Sequence, residues 1–564
     1  MIKVKKYLIS ALFFTVMFTK INAQFFTNPI LSGFYPDPSI CRAGNDYYIV
    51  VSSFAYYPGL PIFHSTDLVN WKQIGAALNR PEQLNLDGAG VSRGLFAPSI
   101  TFHKGTFYII CTLIDKGGTF IITTTDPQKN NWSNPTWLPE INGIDPSIFF
   151  DDNDKSYIVY NSEPPENKAL HDGHRTIRIN EFDVANLKVT SSNKIIVNGG
   201  TNMAKKPVWI EAPHLLKKDG WYYLICAEGG TGYNHSEVVF RTKTIEGPFI
   251  PYENNPILTQ RQLDRSRKNP ITTAGHADFV QTPEGKWWAV FLACRPYEAG
   301  FFNTGRETFM APVEWKNEWP IINPNFEEIQ YSYPINAKQN SKAERFRGNY
   351  FFRDDFTGNT LNNRYNFLRT VREKWYNLTD GKLILNLQPE TCSDNKNPSF
   401  IGFRQPHLKG YAATSLNFSP VSENEKAGLL VFQSEQNYYF LCKSVVEGKQ
   451  VVQLFKGKGT KGTDKIPELL LSENVLLKKD KNILFKIEAK GNTYSFYYAT
   501  EKNKWKLLKE NVDATFLSTA TAGGFVGCFY SMYATSNGTK SNFKVSYDWF
   551  ECKSEDDIFK EGIF

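Results

Sequence analysis

The chain has 564 residues and a formal net charge of +7. That length exceeds one ordinary core and calls for two or more domains. So small a charge, with no Lys/Arg block beyond the N-terminus, gives no electrostatic case for a nucleic-acid partner.

The first residues, "MIKVKKYLISALFFTVMFTKINAQ", read as an export signal. A basic start (Lys3, Lys5, Lys6) precedes an apolar run over residues 7–18, and small Ala23 stands before Gln24. The run is short for a membrane span, and no later segment is apolar for long enough to be one. The expected product is periplasmic or secreted, with residues 1–23 removed. Eight cysteines are scattered without a CxxC pair; they read mostly as buried free thiols, not as a metal cluster. Aromatic residues make up 15% of the chain, which favours strands and surfaces that stack on sugars.

Residues 24–335 repeat one grammar five times: a small or acidic residue, a short apolar run, a turn, then an aromatic-rich strand. The copies are "DPSICRAGNDYYIVVSS" from Asp37, "APSITFHKGTFYIICTL" from Ala97, "DPSIFFDDNDKSYIVYN" from Asp145, "APHLLKKDGWYYLICAE" from Ala212 and "ADFVQTPEGKWWAVFLA" from Ala277. Turn chemistry at each centre (Gly-Asn-Asp, Lys-Gly, Lys-Asp-Gly, Glu-Gly) makes each a hairpin. Helix signals are nearly absent. Five such units, roughly 50 to 65 residues apart, predict a five-bladed β-propeller of four-stranded sheets.

In that architecture the first strand of each blade lines the central channel, so the five strand starts meet at one mouth. They bring Asp37, Ala97, Asp145, Glu211 (one residue before Ala212) and His276 (one before Ala277) together. Any one acid alone reads equally as a turn cap; three at matched positions read as a site. The proline after Asp37 and Asp145 is expected to hold each Asp in extended geometry. Acids from blades one and four would face each other across the channel. Such an arrangement leaves a gap between the two carboxyls on opposite sides of one channel.

From about residue 340 to 564 the pattern becomes alternating strands broken by Gly, Asn and Asp turns, as in "GLLVFQSEQNYYFLC" and "ILFKIEAKGNTYSFYYAT". This predicts a β-sandwich, and the fold class is all-β throughout.

The phrases "NPILSGFYPDPSI", "GLFAPSI", "GIDPSIFF", "IEAPHL", "AEGGTGY", "GHADFV" and "TGRETFMAPVEW" together resemble glycoside hydrolase family 43, in its β-xylosidase and α-L-arabinofuranosidase branch, over residues 28–323. The resemblance implies Asp37 as general base, Glu211 as general acid and Asp145 as the acid that tunes it and orients substrate. It also implies His276, Arg306, Phe54 and Phe96 as pocket residues. Arg306 reads as a sugar contact or as a structural ion pair, and His276 as a contact to sugar, water or a cation on the axis. Tyr56 and Tyr57 read as sugar platforms or as blade packing. Phe96 and Ala212 depart from the Trp and Gly common in relatives.

The last 200 or so residues resemble the concanavalin-like C-terminal domain of that branch, in which Asp355 and Asp548 match a calcium site and a loop reaches the pocket rim. No cofactor is implied for the chemistry. The expected activity is exo-acting, inverting release of xylose, L-arabinofuranose or both from xylan or arabinoxylan oligosaccharides. The alternatives are a sugar-binding propeller without catalysis, a fructan-cleaving hydrolase of the same architecture, and an arabinan-directed hydrolase.

Overall fold

A computed structural model describes residues 24–298, 300–335, 344–460, 466–477 and 481–560. The expected leader, residues 1–23, lies outside them. Among the described residues the only α-helix is the four-residue turn Thr519–Ala522, and no helix is long and apolar enough to cross a membrane.

Five antiparallel sheets follow one another in chain order. Their innermost strands are Ser39–Ala43, Ser99–His103, Ile144–Phe150, Glu211–Lys218 and Thr272–Gln281. In blades three and four the outermost strand is split into two short pieces that pair with the same neighbour. The second strands are apolar on both faces, as in Trp221–Glu228, "WYYLICAE", buried over six consecutive residues. Each blade is covered on both sides by its neighbours, so its middle strands lose the in-out alternation that one solvated face would impose. In the sandwich, Ile483–Lys490 keeps strict alternation of buried and less buried residues, as expected where one face meets the core.

Blades one and five each draw all four strands from one stretch of chain, so no exchanged strand closes the ring. Instead Gln24–Thr27, ahead of blade one, pairs with Ser332–Ile335, beyond blade five. Across the same junction the Asp278 carboxylate accepts from Ser39 Oγ at 2.7 Å and from Ile40 N–H at 2.9 Å.

The second domain is a sandwich of two eight-stranded sheets. One sheet borrows its edge from the propeller: Tyr56–Tyr57 pairs with Tyr365–Leu368. Tyr56 is fully buried and stacks on Phe529 with ring centres 4.1 Å apart. Of the two readings of Tyr56 and Tyr57, packing holds; both rings are buried at the domain junction. A buried ion network adds to this junction. Arg295 donates to Glu307 at 2.7 and 2.9 Å and to Asp556 at 2.9 Å. Breaking such a pair strands a buried charge, at about 3–5 kcal/mol. All eight cysteines are buried and free.

Candidate active site

At the channel mouth three of the innermost strands carry one extra residue. Ile144 faces Asn161 but Ser147 faces Val159; Glu211 faces Ala227 but His214 faces Ile225; Gly275 faces Leu292 but Asp278 faces Val290. Each is a β-bulge, the device that re-aims a side chain next to a site. The first residue of each inserted pair is left-handed: Asp145 (φ 52°), Ala212 (φ 51°) and His276 (φ 57°), with Asp37 (φ 53°) matching them in blade one. The extended geometry expected for Asp37 and Asp145 is therefore corrected. A following proline disfavours the right-handed helical region, and a short polar side chain tolerates the left-handed one. The register also corrects the repeat alignment. His276 is the counterpart of Asp37 and Asp145, whereas Glu211 precedes its own counterpart, Ala212, by one residue.

Asp37, Asp145 and Glu211 open into a single cavity of about 290 Å³, together with His276 and Arg306. The convergence expected from the repeats is thus present. All five side chains belong to residues less than a tenth exposed, and their surroundings grade them electrically. Burial works against ionising Asp37, but the guanidinium of Arg306, which donates to it, and Ser52 Oγ, donating at 2.5 Å, together hold its carboxyl below the usual range. Asp145 is raised to about 7 by burial and then by the charge on Asp37, with a 3.3 Å bond from Ala212 N–H and the charges of Arg306 and Arg175 in partial compensation. Glu211 is pushed well above a normal glutamate by burial, then by Asp145 and Asp37. These surroundings favour the ionised form of Asp37 and the protonated form of Glu211, with Asp145 between the two. Burial also drives His276 down to about 3, so its imidazole is neutral; its Nδ1 lies 3.8 Å from Asp37 Oδ1.

The walls are aromatic. Phe54 and Phe96 line the cavity as expected, with ring centres 5.5 Å apart. Phe525, from the sandwich loop after Thr519–Ala522, stacks on Phe54 at 6.0 Å and 16°. Its backbone N–H takes a 3.0 Å bond to Ser92 Oγ, and its carbonyl accepts from Arg306 at 3.4 Å. This is the loop that the second domain lends to the rim. Trp209 and Thr231 also line the cavity and were not singled out from the sequence. Trp209, two residues before the acid and one of the exposed large apolar residues, was findable; Arg175 packs 4.7 Å over its ring.

The carboxylates matched to calcium do not fit that ion. Asp355 accepts from Arg353 at 2.7 and 3.0 Å. Asp548 accepts from Ser415 at 3.1 Å and has the Lys382 ammonium 3.1 Å away. Among the described residues no group of three or more His, Cys, Asp or Glu side chains converges as a metal site would require.

Comparison with known proteins agrees with this geometry. Residues 26–320 match the model of "Glycosyl hydrolases family 43", and residues 353–553 that of the "Beta xylosidase C-terminal Concanavalin A-like domain". The chain is 39% identical to a xylosidase/arabinosidase of Butyrivibrio fibrisolvens, over 93% of this chain and 98% of that protein. It is 36% identical to a non-reducing end alpha-L-arabinofuranosidase of Bacteroides ovatus, over 94% and 95%. The solved structure of a GH43_12 protein retrieved from a capybara gut metagenome superposes with a TM-score of 0.85 at 40% identity, covering 92% of this chain and 96% of that one. The family match over the propeller, the matched C-terminal domain and relatives at 36–39% identity over nearly the whole chain place the protein in glycosyl hydrolase family 43.

Proposed function

We propose that the protein is an exo-acting, inverting glycosidase that removes xylose, L-arabinofuranose or both from the non-reducing ends of xylan-derived oligosaccharides. Glu211 is the general acid, Asp37 the general base that activates water, and Asp145 the neighbour that keeps Glu211 protonated. The observation that carries this reading is three buried carboxyls in one cavity, of which Asp37 is paired with Arg306 and Ser52 while burial and the neighbouring carboxyls favour the proton on Glu211, since inversion needs one acid and one base at the same pH. The sugar class rests on the names of the relatives. Export rests on the basic, apolar and small-residue order of the first 23 residues.

The test is release of nitrophenol from the β-xyloside and the α-L-arabinofuranoside, with NMR of the anomer first formed. Release from one or both with inverted configuration is expected. Release from neither, or retention, overturns the proposal.

A second outcome concerns Asp145. Asp145→Asn removes a negative charge that raises Glu211, so the Glu211 pKa falls. The alkaline limb of the kcat/KM profile should then move to lower pH, because the acid loses its proton earlier. An unmoved limb would remove Asp145 from the tuning role.

A further inference from the structure

The left-handed residue at the channel mouth is followed by proline in blade one (Pro38), blade three (Pro146) and blade four (Pro213), but by Ala277 in blade five. Proline fixes its own φ and has no N–H to satisfy. Ala277 does neither: it leaves a buried donor inside a bulge. That donor finds Glu237 Oε2 at 3.0 Å. Glu237 is fully buried on the third strand of blade four, Ser236–Thr242, and its Oε1 has no protein partner. It faces Ala227, which in turn faces Glu211, so it continues the row that begins at the proposed acid.

A second contact comes from the same edge. His235, two residues earlier, places Nδ1 3.1 Å from the carbonyl of Thr273, which lies in the other bulge of the strand Thr272–Gln281. Between the two bulges stands Gly275, where a Cβ would come within 2.8 Å of the His235 ring. Blade four therefore grips the doubly bulged strand at two points.

We propose that Glu237 is a positioning residue for the reaction: it replaces in blade five what proline supplies in blades one, three and four, and by fixing the bulge it keeps the His276 imidazole beside Asp37. A buried carboxyl is a costly way to fill such a place, and the Ala277 N–H, which without it would be buried with no acceptor, accounts for it. This role rests on the reading of Asp37 as the base.

The test uses the full chain. Glu237→Leu removes the acceptor and should lower kcat/KM by about tenfold or more, since small misplacements of a site residue carry effects of that size or larger. Glu237→Gln keeps one oxygen in place and should stay within about twofold of wild type. The deciding variant adds Ala277→Pro to Glu237→Leu. Proline removes the orphaned donor, so the double variant should recover most of the lost activity. A Glu237→Leu protein as active as wild type, or a double variant no better than the single one, overturns the proposal. If Glu237→Leu does not fold, a folded and active double variant supports it and an unfolded one overturns it. Imidazole NMR of 15N-labelled protein reads the same question without turnover, and so separates it from the functional reading: the His276 resonance should shift in Glu237→Leu and return in the double variant. An unshifted resonance rejects the positioning role even in an active enzyme.

Discussion

Glu211→Ala should lower kcat/KM on xylo-oligosaccharides by about 10²–10⁴-fold while sparing much of the rate on a dinitrophenyl glycoside. A positioned general acid contributes rate enhancement of that order. The contribution is needed only when the departing oxygen is too basic to leave as an anion. A sugar hydroxyl needs the proton; dinitrophenolate does not. The alanine variant therefore separates proton donation from every other role of the side chain, because a glutamate needed only for binding or folding would be missed equally on both substrates. The environment supports the assignment. Glu211 is buried, it sits beside two other carboxyls, and each of these influences keeps its proton on. Steady-state kinetics on the paired substrates decides the matter, and equal losses on the two would reject the acid role.

Much of this site was legible before any coordinates. The repeat announces itself because every blade must solve the same packing problem, so "DPSI", "APSI" and "APHL" recur with similar neighbours. From five-fold recurrence the convergence of Asp37, Asp145 and Glu211 follows by geometry. What the repeat hid was local. The bulges that turn His276 into the counterpart of Asp37 depend on pairing register, which a single strand's sequence does not carry. Phe525 was hidden for another reason. It follows Gly523 and Gly524, both left-handed, and lies more than three hundred residues from Glu211, so only domain docking brings it to the rim. The same docking decided Tyr56, whose aromatic character fits a sugar platform as well as the strand edge it forms. Asp355 and Asp548 misled because a motif shows carboxylates but not the Arg353 and Lys382 that meet them.

Asp37→Asn should be the most damaging single change, for two reasons that different measurements separate. The first is chemical. An amide cannot accept the proton of the attacking water, so kcat on every glycoside, activated or not, should fall by about 10²–10⁴-fold. Loss on both leaving-group classes is the mark of the base, in contrast to the selective loss at Glu211. The second reason is electrostatic. Asp37 is the ion partner of Arg306, and both side chains are at least nine-tenths buried. Neutralising one leaves the other charged in a low-dielectric site, which costs about 3–5 kcal/mol of stability. Thermal or denaturant unfolding should register that loss. Asp37→Asn combined with Arg306→Met tests whether the two effects are distinct. Removing the stranded guanidinium should restore much of the stability, since an apolar side chain is tolerated where an unpaired ion is not. It should restore none of the turnover, since no base has been returned. Recovery of activity along with stability would mean that Asp37 serves only to hold Arg306, and that the water is activated elsewhere.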